Sequence, residues 1–224
     1  MTFGPPRTEA ELLARARELA RGDLGELADR LGVRPPRDLN RDKGWVGQLL
    51  ETALGASASN RAEPDFTQLG VEMKTVPVDG LGRPRESTFV TAAPYRELLG
   101  AGWAESSVYH KTRRILWVPV ESDASIPLTT RRIGQAILWS PGAAVDAAFA
   151  DDWSTFRAAA ASGLEALNGH LGVVLQLRPK AKDGRARTEA QLEDGTSVAA
   201  RPLGFYLRRS FTADLFSSAY FVDG

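Results

Sequence analysis

One run of residues, Asp65-Phe-Thr-Gln-Leu-Gly-Val-Glu72-Met-Lys74, constrains this chain more than any other. From Gly70 to Asp79 the residues alternate in character, and side chains two apart on a strand point the same way. Glu72 and Lys74 therefore share a face, while Val71 and Met73 turn the other way, into a core. Asp65 comes before the strand, across a short turn carrying Gly70, and can swing onto the Glu72 face. Whatever the chain forms around it, this strand needs an apolar cover on one side and a place for charge on the other.

Two carboxylates and an amine at one strand end suit metal-dependent phosphodiester hydrolysis. Mg²⁺ prefers hard oxygen ligands and keeps several waters, so two or three carboxylates hold it. The ion polarises a scissile phosphate and acidifies a bound water, which a neighbouring lysine can orient. A third carboxylate, Glu51, lies in the segment Gly44 to Gly55. There Trp45, Leu49 and Ala53, with Val46, Leu50 and Leu54, predict a helix packed on the sheet, and Gly55 supplies its stop. Taken alone, Asp65, Glu72 and Lys74 are a weak pattern, and Glu-x-Lys on a half-exposed strand is usually a solvated face.

Composition removes several competing chemistries. The 224 residues are enough for one large or two small domains with a real core. There is no cysteine, so disulfides, thiolate metal sites and cysteine nucleophiles are excluded. Two histidines, His110 and His170, are too few for a multi-histidine metal centre. No apolar run approaches the roughly 20 residues of a membrane span. The charged N-terminus is unlike an export signal, so a cytoplasmic location is expected. Net charge is zero, yet Arg178 to Arg187 holds five basic residues against one acidic. Arg113-Arg114, Arg131-Arg132 and Arg208-Arg209 add positive clusters. A basic face on a neutral molecule can line phosphates.

The pattern predicts a loose tail at residues 1–6, two short helices over Thr8 to Leu31 with Asp23 capping the second, and then the Glu51 helix. The Glu72 strand follows. A turn at Asp79 to Gly82 leads to a strand over Glu86 to Pro94, expected as its hairpin partner. Further strands are predicted over Lys111 to Glu121, Ala136 to Trp139, Gly172 to Arg178 and Ser197 to Leu207, with a long helix over Val145 to Gly163. Helix and strand interleave, which gives one α/β domain over residues 1–224.

The chain resembles the MutH family, strand-nicking endonucleases of methyl-directed mismatch repair. The resemblance is carried by Arg41-Asp-Lys-Gly-Trp-Val-Gly-Gln-Leu-Leu-Glu51, Leu54-Gly-Ala-Ser57 and Asp65 through Pro84. It continues through His110 to Glu121, Ile126 to Gly134, Leu175-Gln-Leu-Arg-Pro-Lys-Ala181 and Gly204-Phe-Tyr-Leu-Arg-Arg-Ser-Phe-Thr212. It implies a restriction-endonuclease-like fold: a mixed sheet flanked by helices, with two lobes around a DNA-binding cleft. The catalytic lobe would span about residues 8–100 and the recognition lobe about 101–224. On this resemblance Asp65 and Glu72 ligate Mg²⁺, which Mn²⁺ can replace. Glu51 helps hold a second ion, and the Met73 carbonyl completes the shell. Lys74 positions the attacking water and Lys111 lies near the phosphate.

The resemblance also implies the substrate. The unmethylated strand of hemimethylated GATC is nicked 5′ of the guanine, leaving 5′-phosphate and 3′-hydroxyl. Arg178, Pro179 and Lys180 match the base-reading loop and Tyr206 the sensor of the adenine methyl, while Lys43, Glu86 and Phe89 match DNA contacts elsewhere. The enzyme would act as a monomer on double-stranded DNA, stimulated by MutL after MutS detects a mismatch. Two other readings stay open: a GATC-cleaving restriction enzyme, a class that usually carries a second copy of the fold or dimerises and that a neighbouring methyltransferase gene would favour, and a catalytically dead DNA-binding homologue, against which the intact Glu51, Asp65, Glu72 and Lys74 count. The stretch Ala181 to Arg201 departs most from the family pattern.

Overall fold

The structure, a computed structural model, describes residues 4–20, 22–39, 42–58, 63–180, 186–191 and 195–221. It is mixed α/β, with small sheets and surrounding helices. Among the described residues no helix is long and apolar enough to cross a membrane. The chain divides into two compact units. Unit 1 comprises Met1–Glu86, Arg114–Ser140 and Ala219–Gly224, and unit 2 comprises Ser87–Arg113 and Pro141–Ser218. The units are interleaved along the chain, so neither is the continuous half expected from sequence order.

Unit 1 is built on a sheet of three strands, β1 (Glu72–Val78), β3 (Ile115–Glu121) and β4 (Ile137–Trp139), with β3 in the middle. β3 runs parallel to β1, pairing Glu72 with Ile115 and Lys74 with Trp117, and antiparallel to β4. As the central strand it is covered on both faces and is apolar almost throughout. One face carries Val71, Met73, Leu116, Val118 and Val120 into a core shared with α1 (Glu9–Leu19), α2 (Leu24–Leu31) and α3 (Trp45–Leu54). Thr8 and Asp23 cap α1 and α2 through their side chains, the second as its sequence position predicts. α3 ends at Gly55, whose φ of 80° is the left-handed turn that glycine adopts without strain. Arg114 lies at the foot of β3. Its carbonyl accepts the Glu72 N–H at 2.9 Å, and its guanidinium grips both oxygens of Glu9 on α1. That pairing holds the Glu9 carboxyl below the usual range.

Unit 2 has an antiparallel sheet of β2 (Thr88–Ala92), β8 (Leu203–Leu207) and β5 (Leu175–Pro179), with β8 in the middle. Leu175, Leu177, Phe205 and Leu207 form its core face. The long helix α6 (Ala143–Ser162) covers that face through Trp153 and Phe156, whose rings lie 5.6 and 6.1 Å from that of Phe205. Short helices α4 (Tyr95–Gly100) and α5 (Ser107–Thr112), a hairpin of β6 (Thr188–Gln191) with β7 (Ser197–Ala200), and α7 (Arg209–Phe221) complete the described elements.

Three expectations change. β2 lies within the predicted strand Glu86 to Pro94, but it pairs with β8 and not with β1. The hairpin does begin: Val78 bridges Pro84, and the Arg85 N–H donates to the Pro77 carbonyl at 2.9 Å. Pro77 has no N–H to return a bond to Arg85, and after Glu86 the chain leaves for unit 2. Lys111 is not on a strand but in α5, where the Ser106 hydroxyl accepts the Tyr109 N–H and starts a helix first. The strand Ser197 to Leu207 is broken at Arg201-Pro202 into β7 and β8.

A buried carboxylate positions β5. Asp152 on α6 is only 3% exposed and accepts the N–H groups of Val173, Val174 and Leu175 at 2.6, 2.7 and 2.7 Å. Arg208 grips the same segment from its carbonyl side, donating to Gly169, His170, Leu171 and Gly172 at 2.8–3.3 Å. Removing the carboxylate strands the buried Leu175 amide and two part-buried ones, so Asp152→Ala should cost about 1–3 kcal/mol, while Asp152→Asn should cost less. Urea unfolding of the variants checks this, and a loss under about 0.5 kcal/mol for Asp152→Ala would contradict the clamp.

Candidate active site and nucleic-acid interface

The catalytic candidates of unit 1 are positioned by a tight reversal. Phe66 and Val71 bridge each other, with the Phe66 N–H donating to the Val71 carbonyl at 2.9 Å. Gly70, at φ 64°, makes the turn between them. The reversal folds Asp65 back alongside β1, where its Oδ2 accepts the Met73 N–H at 2.7 Å. The Asp65 carbonyl accepts the N–H groups of Ser57 and Ala58 at 2.9 and 3.2 Å, which ties the residue to the chain leaving α3. Asp65 is thus fixed by its backbone on one side and its carboxylate on the other.

Glu72 and Lys74 form an ion pair, with Nζ to Oε1 at 2.5 Å. Their side chains are 6% and 12% exposed, so the solvated-face reading does not hold. The same face continues into Val76 and Val78, both buried, and its β3 neighbours are Ile115 and Trp117. An apolar strand would place aliphatic residues at all these positions. Glu51 lies on α3, which packs against β1, and its Oε1 folds back over the face of Gly47. Lys43 is exposed, just ahead of α3, and Glu86 is exposed at the end of the unit's first segment. Lys111 belongs to unit 2 and is 5% exposed.

Among the described residues no three histidine, aspartate or glutamate side chains gather into a group able to hold a metal ion. Glu51, Asp65 and Glu72 therefore do not form a closed triad. One Asp65 oxygen accepts the Met73 amide and one Glu72 oxygen the Lys74 ammonium. The donor chemistry nevertheless suits Mg²⁺ or Mn²⁺, because every candidate ligand is a hard oxygen.

Unit 2 assembles a second set on the outer face of its sheet. Phe89 and Tyr206 stand opposite each other on β2 and β8, their rings edge to face at 5.3 Å and 65°. The Arg178 guanidinium lies 5.3 Å from the centre of the Tyr206 ring, and Lys180 Nζ lies 4.0 Å from that of Phe89. Such stacking holds a flexible cation in place while leaving its donors directed by the ring. Pro179 ends β5 opposite Leu203, where a proline costs no ladder bond on the outer edge. Four residues predicted from separate stretches are therefore one cluster. Residues 181–185 of the basic run, and parts of the divergent stretch Ala181 to Arg201, lie outside the described residues.

Sequence reasoning missed Gln176. It faces Tyr206 across the β5–β8 pair, is 8% exposed, and donates to the Ser87 hydroxyl at 2.7 Å, joining β5 to the entry of β2. Its position two residues before Arg178 was the available signal, since strand alternation puts both on one face.

The family described as DNA mismatch repair enzyme MutH matches residues 54–152, a segment that contains Asp65, Glu72 and Lys74. Curated relatives named DNA mismatch repair protein MutH, from Salmonella paratyphi B, Salmonella newport and Salmonella heidelberg, are each 49% identical over 220 residues. Those alignments cover 98% of this chain and 95% of each relative. Identity at that level over nearly the full length of both partners shows that the chain belongs to the MutH family of DNA mismatch repair enzymes.

Proposed function

We propose that the protein is a Mg²⁺-dependent endonuclease that nicks the unmethylated strand at hemimethylated GATC sites in methyl-directed mismatch repair. The observation that carries the proposal is the buried Glu72–Lys74 pair beside Asp65 at one strand end. Asp65, Glu72 and the Met73 carbonyl would hold one ion and Glu51 would help hold a second. Bound there, Mg²⁺ supplies Lewis-acid polarisation of the phosphate and acidification of a water. Lys74 orients that water for attack on phosphorus, and its ammonium offsets charge that grows on the phosphate oxygens. The bond that breaks is between phosphorus and the 3′ oxygen, which takes up a proton and leaves as the 3′-hydroxyl.

Unit 2 supplies the reading. Arg178 and Lys180 can donate to the O6 and N7 acceptors of guanine, the commonest specific contact in the major groove. Tyr206 meets the adenine edge, where an N6-methyl group occupies a donor position. Zero net charge gives little long-range attraction to DNA, which suits an enzyme loaded as a monomer by MutL after MutS has found a mismatch.

Asp65→Ala, Glu72→Ala and Lys74→Ala should each lower nicking of hemimethylated GATC duplexes by about 10³-fold or more, with Glu51→Ala also severe, and excess chelator should abolish it. Nicking rates with and without MutL check this. Wild-type turnover by any of the first three variants removes the site assignment, and rapid double-strand cleavage by the protein alone favours a restriction enzyme.

A second expectation separates function from stability. Breaking a buried ion pair from one side strands a charge, whereas replacing both partners with apolar groups of similar volume is often neutral or stabilising. Glu72→Leu combined with Lys74→Met should therefore unfold at least as late in urea as the wild type while showing no nicking, whereas Lys74→Met alone should lose stability. A double variant less stable than both single variants would show that the pair serves the fold.

A further inference from the structure

Gly204 sits in β8, the middle strand of the unit 2 sheet, where a glycine weakens a strand and packs nothing. Its backbone gives no reason for glycine, since Gly204 is not among the residues with positive φ. The reason is space. A Cβ built at Gly204 would lie 3.0 Å from Cε2 of Phe89, 3.2 Å from Cε2 of Tyr206 and 3.4 Å from the Thr91 carbonyl oxygen. The first two distances are shorter than ordinary van der Waals contact, and both belong to ring edges. The two rings of the reading cluster are therefore seated on the bare backbone of Gly204.

A second feature serves the same seat. β2 carries a register irregularity between Phe89 and Thr91, so that Phe89 pairs with Tyr206 and Thr91 with Phe205. A bulge re-aims the side chain beside it. Here the bulged strand tips Phe89 along β8 toward Gly204, and the missing side chain receives it. Lys180 rides on Phe89 and Arg178 on Tyr206, so the height of both rings above the sheet also sets where both cations lie.

We infer that Gly204 is a specificity-determining positioning residue: it lets Phe89 and Tyr206 settle onto the sheet and so fixes the geometry of the base-reading and methyl-sensing groups. This rests on the proposed function. A reading surface tolerates displacements of only about 0.5 Å. Gly204→Ala forces the rings to give by a few tenths of an ångström, so discrimination should suffer while the chemistry of Lys74 in unit 1 does not.

The test is the Gly204→Ala variant beside the wild type, with nicking measured at fixed salt. The substrates are duplexes unmethylated or methylated on the cleaved strand, and single-base variants of GATC. Ring-proton shifts of Phe89 and Tyr206 are recorded by NMR. The expected result is moved ring signals and discrimination ratios lowered about three- to tenfold, with a smaller change in rate on the preferred site. Unchanged ratios in a folded variant overturn the inference. So does an equal loss on every substrate, because that is what general loosening produces. If the wild type itself shows no GATC or methyl preference, the proposed function is what fails, and the ring shifts still report the seat. Should Gly204→Ala not fold, adding Phe89→Leu removes the closest contact and should restore folding; a double variant that also fails to fold refutes the ring-seat account.

Discussion

An ion pair of 2.5 Å between Glu72 and Lys74, almost sealed from water, sets the terms for the rest of unit 1. Removing two such charges from water costs several kcal/mol each, and their attraction seldom returns more than that. A fold that keeps such a pair at a strand end must supply the stability elsewhere. It does so on the opposite face of β1, where Val71 and Met73 join Leu116, Val118 and Val120 under three helices. The parallel partner β3 is apolar on both faces and fixes the register that places Lys74 beside Trp117. Asp65 is then brought in by a reversal whose only conformational demand falls on Gly70.

Unit 2 solves a different problem, that of holding long cationic side chains still. Arg178 and Lys180 come from the end of β5, and the start of β5 is gripped from both sides of its backbone. Asp152 takes its amides and Arg208 the carbonyls just ahead of it. At the far end Tyr206 and Phe89 offer ring faces to the two cations. Ordering a flexible side chain on binding costs about 0.5–1.5 kcal/mol each, and the two ring contacts lower that cost in advance.

The parts of this arrangement that rest on short-range rules were legible in the sequence. Asp23 announces α2, Gly55 ends α3, and alternation from Gly70 puts Glu72 and Lys74 on one face. Pairing was not legible, because it is decided by distant segments. β2 belongs to β8, more than a hundred residues away, and the local hairpin that alternation suggested goes no further than Arg85, to which Pro77 has no N–H to return a bond. Lys111 was misread because an apolar strand does begin nearby, at Ile115, while the Ser106 cap claims the residues before it for a helix. The Phe89, Arg178, Lys180 and Tyr206 cluster was named residue by residue from family likeness; Gln176 could have been added by strand alternation from Arg178, whereas the space above Gly204 shows only in three dimensions.

The central proposal is that the carboxylates of unit 1 take up a metal ion, drawing Asp65 from the chain's own donor. The most direct measurement is the Met73 amide resonance of ¹⁵N-labelled protein during titration with Mg²⁺, or with Ca²⁺ to suppress cleavage, in the presence of a GATC duplex. That amide is the partner of Asp65 Oδ2. The account predicts that it shifts in a saturable way as the carboxylate turns to the ion, and that Asp65→Asn abolishes the response. A Met73 amide unmoved at saturating metal, with nicking intact, would contradict it.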